Sequence, residues 1–217
     1  MTFFSFTILS FSLFSIACCN QPSIRKHLAE LTTHEETKPT MHLDSLRVKA
    51  SEAFIFCRKN QFEDKYCILI DMQLHSGVRR FVLWNFEKDT VQFACLVGHG
   101  CGNHPWSLDR SKSNPSFSNE DGSHLSSLGK YKIGARGVSD WGVKIKYALH
   151  GLESSNSNAA RRHIVFHSWE AMTDEEIYPA GSAEGWGCPT ISDNSFKCLD
   201  PILKESKKPV LMHCCPR

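Results

Sequence analysis

The 217-residue chain has no excess of charge of either sign: 25 Lys and Arg stand against 23 Asp and Glu, a formal net charge of +2. Phosphate-binding proteins gather basic residues on one face. Here they come as short pairs such as Arg161-Arg162 and Lys207-Lys208, so nucleic acid is not expected as a partner. No G-x-S-x-G segment is present, which removes the nucleophile elbow of a serine hydrolase. Paired C-x-x-C modules are missing as well. His99, Cys101, His104, His167, Cys188 and His213-Cys214-Cys215 are soft donors, but Cys101 and His104 supply two local ligands at most, so neither a metal site nor a cofactor is expected. There is no internal repeat and no low-complexity tract. The apolar run Phe3 to Ala17 falls short of the roughly 20 residues that span a bilayer.

That run ends in a small residue and is followed by Cys18-Cys19-Asn20 and a polar stretch, the pattern of a targeting segment over residues 1–19 that routes the chain out of the cytoplasm. Ser15-Ile16-Ala17-Cys18 resembles a bacterial lipoprotein signal, in which Cys18 is lipidated and ties the protein to a membrane. Ser15 in place of an aliphatic residue, and no Lys or Arg before the run, depart from that pattern, and a short uncleaved anchor is the rival reading. Residues 20–45, with Pro22, Pro39 and the polar Thr32 to Lys38 run, read as a tether. The remainder, residues 46–217, is long enough for one domain with a sizeable core.

Within it the apolar spacing predicts a helix over Leu43 to Cys57. Tyr66 to Met72, Arg80 to Phe86 and Val91 to Val97 read as strands, the last two joined as a hairpin by Glu87-Lys88-Asp89-Thr90. Trp141 to Leu149 and Arg162 to Phe166 are further strands, and Asp200 to Glu205 a short closing helix. Gly98 to Gly129, rich in Gly, Ser, Asn and Pro, is long for a loop unless it serves a site. Short strands with Gly-rich turns predict a mainly β fold of the sandwich or barrel kind. Of ten cysteines, eight lie beyond the targeting region. In an exported protein some of them pair, and Cys57 with Cys67 across a hairpin is one such pairing.

The densest chemistry is in Gly185-Trp186-Gly187-Cys188-Pro189. A cysteine between glycine and proline, downstream of the strand-like His163-Ile164-Val165-Phe166-His167, has the setting of a thiol nucleophile with His167 as base. The N–H groups of Gly187 and Cys188 are placed to form an oxyanion hole.

These residues stand in a longer pattern: Phe117-Ser118-Asn119, Gly122-Ser123, Ser126-Ser127-Leu128-Gly129-Lys130-Tyr131 and His150-Gly151-Leu152-Glu153, then Asn156, Ala159, Arg162, Ile164-Val165 and His167. In order and spacing this resembles the murein L,D-transpeptidase catalytic domain family, in particular its branch with a Trp-Gly-Cys-Pro nucleophile motif, over roughly residues 80 to 200. The resemblance implies an L,D-transpeptidase-like β fold and peptidoglycan stem peptides as partners. It implies that Cys188 attacks the carbonyl of a stem tetrapeptide's third residue, expels D-alanine and passes the acyl group to a neighbouring stem's amine. A carbapenem-type β-lactam would acylate the same thiol.

Two departures accompany it. Gly185 stands where the family has Ser or Thr, which implies either reduced activity or a hydroxyl supplied by nearby Ser182, and Ser168 stands where the family has Gly. Thr190 occupies a position that often holds Arg in the wider family, which leaves open the cation that meets a substrate carboxylate. His99 and Trp186 are cleft candidates, and His150 and Glu153 either line the cleft or serve the scaffold. Arg162, read on the same strand as His167 and on the opposite face, suits a structural ion pair. The rival functions are an L,D-carboxypeptidase or endopeptidase with the same thioester, and a non-catalytic cell-wall-binding module.

Overall fold

The computed structural model describes residues 37–215. The targeting segment and Cys18 lie outside these residues, as does most of the expected tether. Helix α1 (Leu43–Asn60) opens inside the expected tether and buries Leu46, Ala50, Ala53 and Cys57, a 4-3-4 spacing that keeps one face on the core. It ends at Gln61, whose left-handed φ of 60° breaks the helical repeat.

The strands are β1 (Tyr66–Asp71), β2 (Phe81–Asn85), β3 (Thr90–Cys95), β4 (Gly129–Val138), β5 (Ile145–Gly151), β6 (Val165–Ser168), β7 (Thr190–Ile191) and β8 (Leu211–Cys215). They form one eight-stranded sheet in the order β3-β2-β1-β8-β4-β5-β6-β7. The β1–β8 and β6–β7 pairs are parallel and the others antiparallel. The sheet is nearly closed, since the Gly98 N–H just beyond β3 donates to Thr190 O of β7 at 2.8 Å.

The alternation of strand side chains divides the core. Cys67 and Leu69 of β1, with Val82, Trp84 and Leu211, meet α1. Ile68 and Ile70 point the other way, into the main core with Phe81, Leu83, Phe166, Met212 and Phe196 of α2 (Asp193–Glu205). Phe81 stacks on Phe166 at 5.7 Å, linking β2 to β6 through the interior.

The mainly β reading and the β2–β3 hairpin hold, and three boundaries change. The Trp141 strand starts later, as β5. Arg162 lies in a turn before β6, with His163 at φ 54°. Helix α2 starts at Asp193, where the Ser192 hydroxyl accepts the Ser195 N–H. Strands β4 and β8 have no counterpart in the sequence reading. Cys57 and Cys67 are not partners across a hairpin: one is on α1, the other on β1, and all eight described cysteines are free thiols.

Candidate active site

The segment before β7 is held by backbone pairing on one side and by a loop on the other. Gly100 and Gly185 form a single parallel β-bridge, in which Gly185 N–H donates to His99 O and Cys101 N–H to Gly185 O, each at 2.8 Å. Ser126 clamps the next turn: its hydroxyl accepts from Gly100 N–H and donates to Gly187 O, both at 3.1 Å. Gly187 has φ +97°, and a Cβ there would lie 2.5 Å from Leu125 O, so both conformation and space demand glycine. Its N–H and that of Cys188 have no acceptor among the described residues.

Cys188 and His167 share the walls of one cavity of about 150 Å³, with Trp106, Trp141, Trp169, Trp186, Gly185 and Thr190. Four of the chain's five tryptophans are gathered here. Trp106 stacks on Trp169 at 5.6 Å and meets Trp141 edge-on at 6.0 Å, while Trp186, 62% exposed, stacks on His124 at 5.3 Å. These tryptophans leave no sequence periodicity. Only the length of the Gly98 to Gly129 loop hints at a role for Trp106.

The His167 Nδ1–H donates to Ser168 O at 2.8 Å. That bond fixes the tautomer and leaves Nε2 with its lone pair. Burial lowers the His167 pKa from its usual value, only partly opposed by the Ser168 carbonyl. Burial raises the Cys188 thiol pKa, against the Val165 N–H, which donates to Sγ at 3.4 Å, and the charges of Arg162 and Lys146. Both effects favour the neutral pair, thiol and imidazole. No hydrogen bond joins them among the described residues, a separation common before substrate binds.

Arg162 forms no ion pair among the described residues, contrary to expectation. Its guanidinium donates to Ser118 O (2.8 Å), Ser127 Oγ (2.6 Å), Ser123 Oγ (3.2 Å) and Leu125 O (2.5 Å), tying down the loop that abuts Gly187. Its turn position, rather than a strand, lets the fork reach four acceptors.

His99 is not in the cavity. Fully buried, it accepts from Arg80 Nη2 at Nδ1 (2.7 Å) and donates from Nε2 to Ser111 Oγ (2.7 Å), which donates to buried Glu184 at 2.9 Å. This network sits under the residue that precedes Gly185, so His99 is scaffold. The Ser182 hydroxyl is buried and donates to Ser76 O at 2.6 Å, outside the cavity. The hydroxyl residue that does line it is Thr190, whose Oγ1 is buried and without a partner among the described residues.

Ser168 is buried too, its Oγ accepting from Val143 N–H at 2.9 Å. His150 lies exposed on β5 opposite Lys132, away from the cavity, and Glu153 pairs with Lys130 at 2.8 Å beneath the following turn. Glu153 therefore serves the scaffold. His213, Cys214 and Cys215 are buried in β8, and no group of three metal-ligating side chains comes together among the described residues.

Two bacterial structures show a partial likeness to the chain. Against the helical cell shape determining protein Pgp2 from Campylobacter jejuni the TM-score is 0.43, at 12% identity over 68% of this chain and 46% of that one. Against Bd1075 from Bdellovibrio bacteriovorus it is 0.38, at 16% identity over 70% of this chain and 48% of that one. The chain thus spans less than half of the length of either. No curated protein sequence matches it. The family model of the L,D-transpeptidase catalytic domain, in contrast, matches residues 38–212, from the approach to α1 into β8 and through every cavity residue. On that match, which takes in most of the sequence, the chain belongs to the L,D-transpeptidase catalytic domain family.

Proposed function

We propose that the protein is a peptidoglycan L,D-transpeptidase with Cys188 as nucleophile and His167 as general base. The observation that carries this reading is the shared cavity: a thiol and an imidazole with its Nε2 lone pair free line one space, beside two unengaged N–H groups. Membership of the family supports a peptidoglycan-related function.

Because the resting pair is neutral, attack and proton transfer are coupled. Nε2 takes the thiol proton as Sγ adds to the carbonyl carbon of the stem's third residue, and the N–H groups of Gly187 and Cys188 receive the oxyanion. The amide C–N bond then breaks, His167 returns the proton to the departing D-alanine nitrogen, and the acyl group remains on sulfur as a thioester. A neighbouring stem's side-chain amine attacks that thioester and loses a proton to His167. The thiolate leaves and is protonated again, and an amide joins the two third residues.

Peptidoglycan lies outside the cytoplasmic membrane, so this function needs the export inferred from Phe3 to Ala17, with Cys18 as lipid anchor. The test is mass spectrometry of defined muropeptides incubated with the protein. A dimer with loss of D-alanine is the expected product. Loss of D-alanine alone would place water as the acceptor, and an unchanged substrate would show a binding module.

A further inference from the structure

The sheet lays a polar row across the site. Lys146 on β5 is the direct partner of His167 on β6, and His167 is the direct partner of Thr190 on β7. Directly paired residues present their side chains on the same face, with Cβ atoms about 4.5–5.5 Å apart, so cation, imidazole and hydroxyl stand side by side. Thr190 lines the cavity, and its Oγ1 is buried with no hydrogen-bond partner among the described residues. Lys146 is half-buried, and its ammonium has neither an ion pair nor a hydrogen bond among the described residues. A buried hydroxyl left unpaired is costly unless a ligand completes it.

Arg162 and Lys146 are the two cations whose charge acts on Cys188. Arg162 spends its fork on four loop acceptors. The cavity wall itself carries no Lys or Arg, and Glu170, the acid whose charge acts on His167, is held by the Gly142 N–H at 3.2 Å.

We propose that Lys146, with the Thr190 hydroxyl, is the recognition site for the free carboxylate at the C-terminus of the donor peptide, one residue beyond the scissile carbonyl. This rests on the reading of Cys188 as nucleophile. The carboxylate accepts from the Lys146 ammonium and the Thr190 O–H, which draws the carbonyl one residue upstream over Sγ, with His167 between the two anchors. Lys146 is a specificity-determining residue here, and it takes no part in proton transfer.

The experiment separates binding from turnover. Calorimetry with the Cys188→Ala protein compares a synthetic stem tetrapeptide ending in D-alanine with its C-terminal carboxamide. With Lys146 present the free acid should bind about tenfold tighter, the low end for a charge-assisted contact because the lysine is partly solvated. Lys146→Met should abolish that difference, Lys146→Arg should keep most of it, and Thr190→Val should narrow it. Equal or absent binding of acid and amide with Lys146 present overturns the assignment, as does a difference that survives Lys146→Met. Turnover of muropeptides by the unaltered protein tests the nucleophile separately, so either reading can fail while the other stands.

Discussion

At the residue scale, the opposed shifts of His167 and Cys188 determine the pH response. A base acts only when unprotonated, and burial holds the His167 pKa below 6.5, so kcat/KM should fall only at pH below that value. The thiol pKa is raised above 9, so a resting thiolate contributes nothing near neutrality. Iodoacetamide capture of Cys188 should therefore keep climbing beyond pH 9, while acylation by a carbapenem, which in the proposed mechanism uses His167, should stay level from pH 7 to 9. A capture rate that plateaus near pH 6 would show a preformed thiolate–imidazolium pair instead. Gly185 is the second informative position. An added Cβ would meet nothing nearer than Trp169 Cζ3 at 4.0 Å, so Gly185→Ser should fold with stability changed by about 0.5 kcal/mol or less. Carbapenem adducts followed by intact mass should form faster in that variant. An unaltered rate would mean that Thr190, not a residue at 185, already supplies the hydroxyl.

At the element scale, the loop from Gly98 to β4 positions the site through Ser126 and Arg162. Replacing Arg162 by Ala orphans the carbonyl of Leu125, leaves Ser118 O with the Ser127 hydroxyl alone, and should cost about 3 kcal/mol in urea unfolding. It should also slow Cys188 acylation, since Leu125 O buttresses Gly187. Arg162→Lys should not rescue either property, because a single ammonium cannot span four acceptors. The elements differ in how far the sequence disclosed them. β2 and β3 are legible because an apolar run and its partner flank an obvious turn. β4 is not, since Gly129, Gly134 and Gly137 dilute its β propensity and its far end is exposed. β8 is buried on both faces between β1 and β4, so Leu211 to Cys215 lacks the alternation that marks a half-exposed strand, and its His and Cys resemble ligands. Pro201 inside α2 masks the length of that helix.

At the scale of the whole molecule, the thiols should sort by depth and not by motif. Cys198 is exposed on α2, Cys188 is half-buried and the other six described cysteines are buried. Brief labelling of native protein, read peptide by peptide, should mark Cys198 first and Cys188 next, with the remaining six reacting only in denaturant. Prior acylation by a carbapenem should protect Cys188 alone. Labelling of Cys57 or Cys67 in native protein would contradict the packing of α1 on β1. The sequence by itself determined the mainly β class, the first helix and the β2–β3 hairpin, and it singled out Cys188 and His167 as candidates, because periodicity, turn residues and motif order are local properties of the chain. Only the tertiary structure decided which polar groups reach the cavity. It turned His99, Ser182 and His150 away and brought Thr190 and four tryptophans to the walls around Cys188 and His167, because strand register and long-range packing set the face on which each side chain stands.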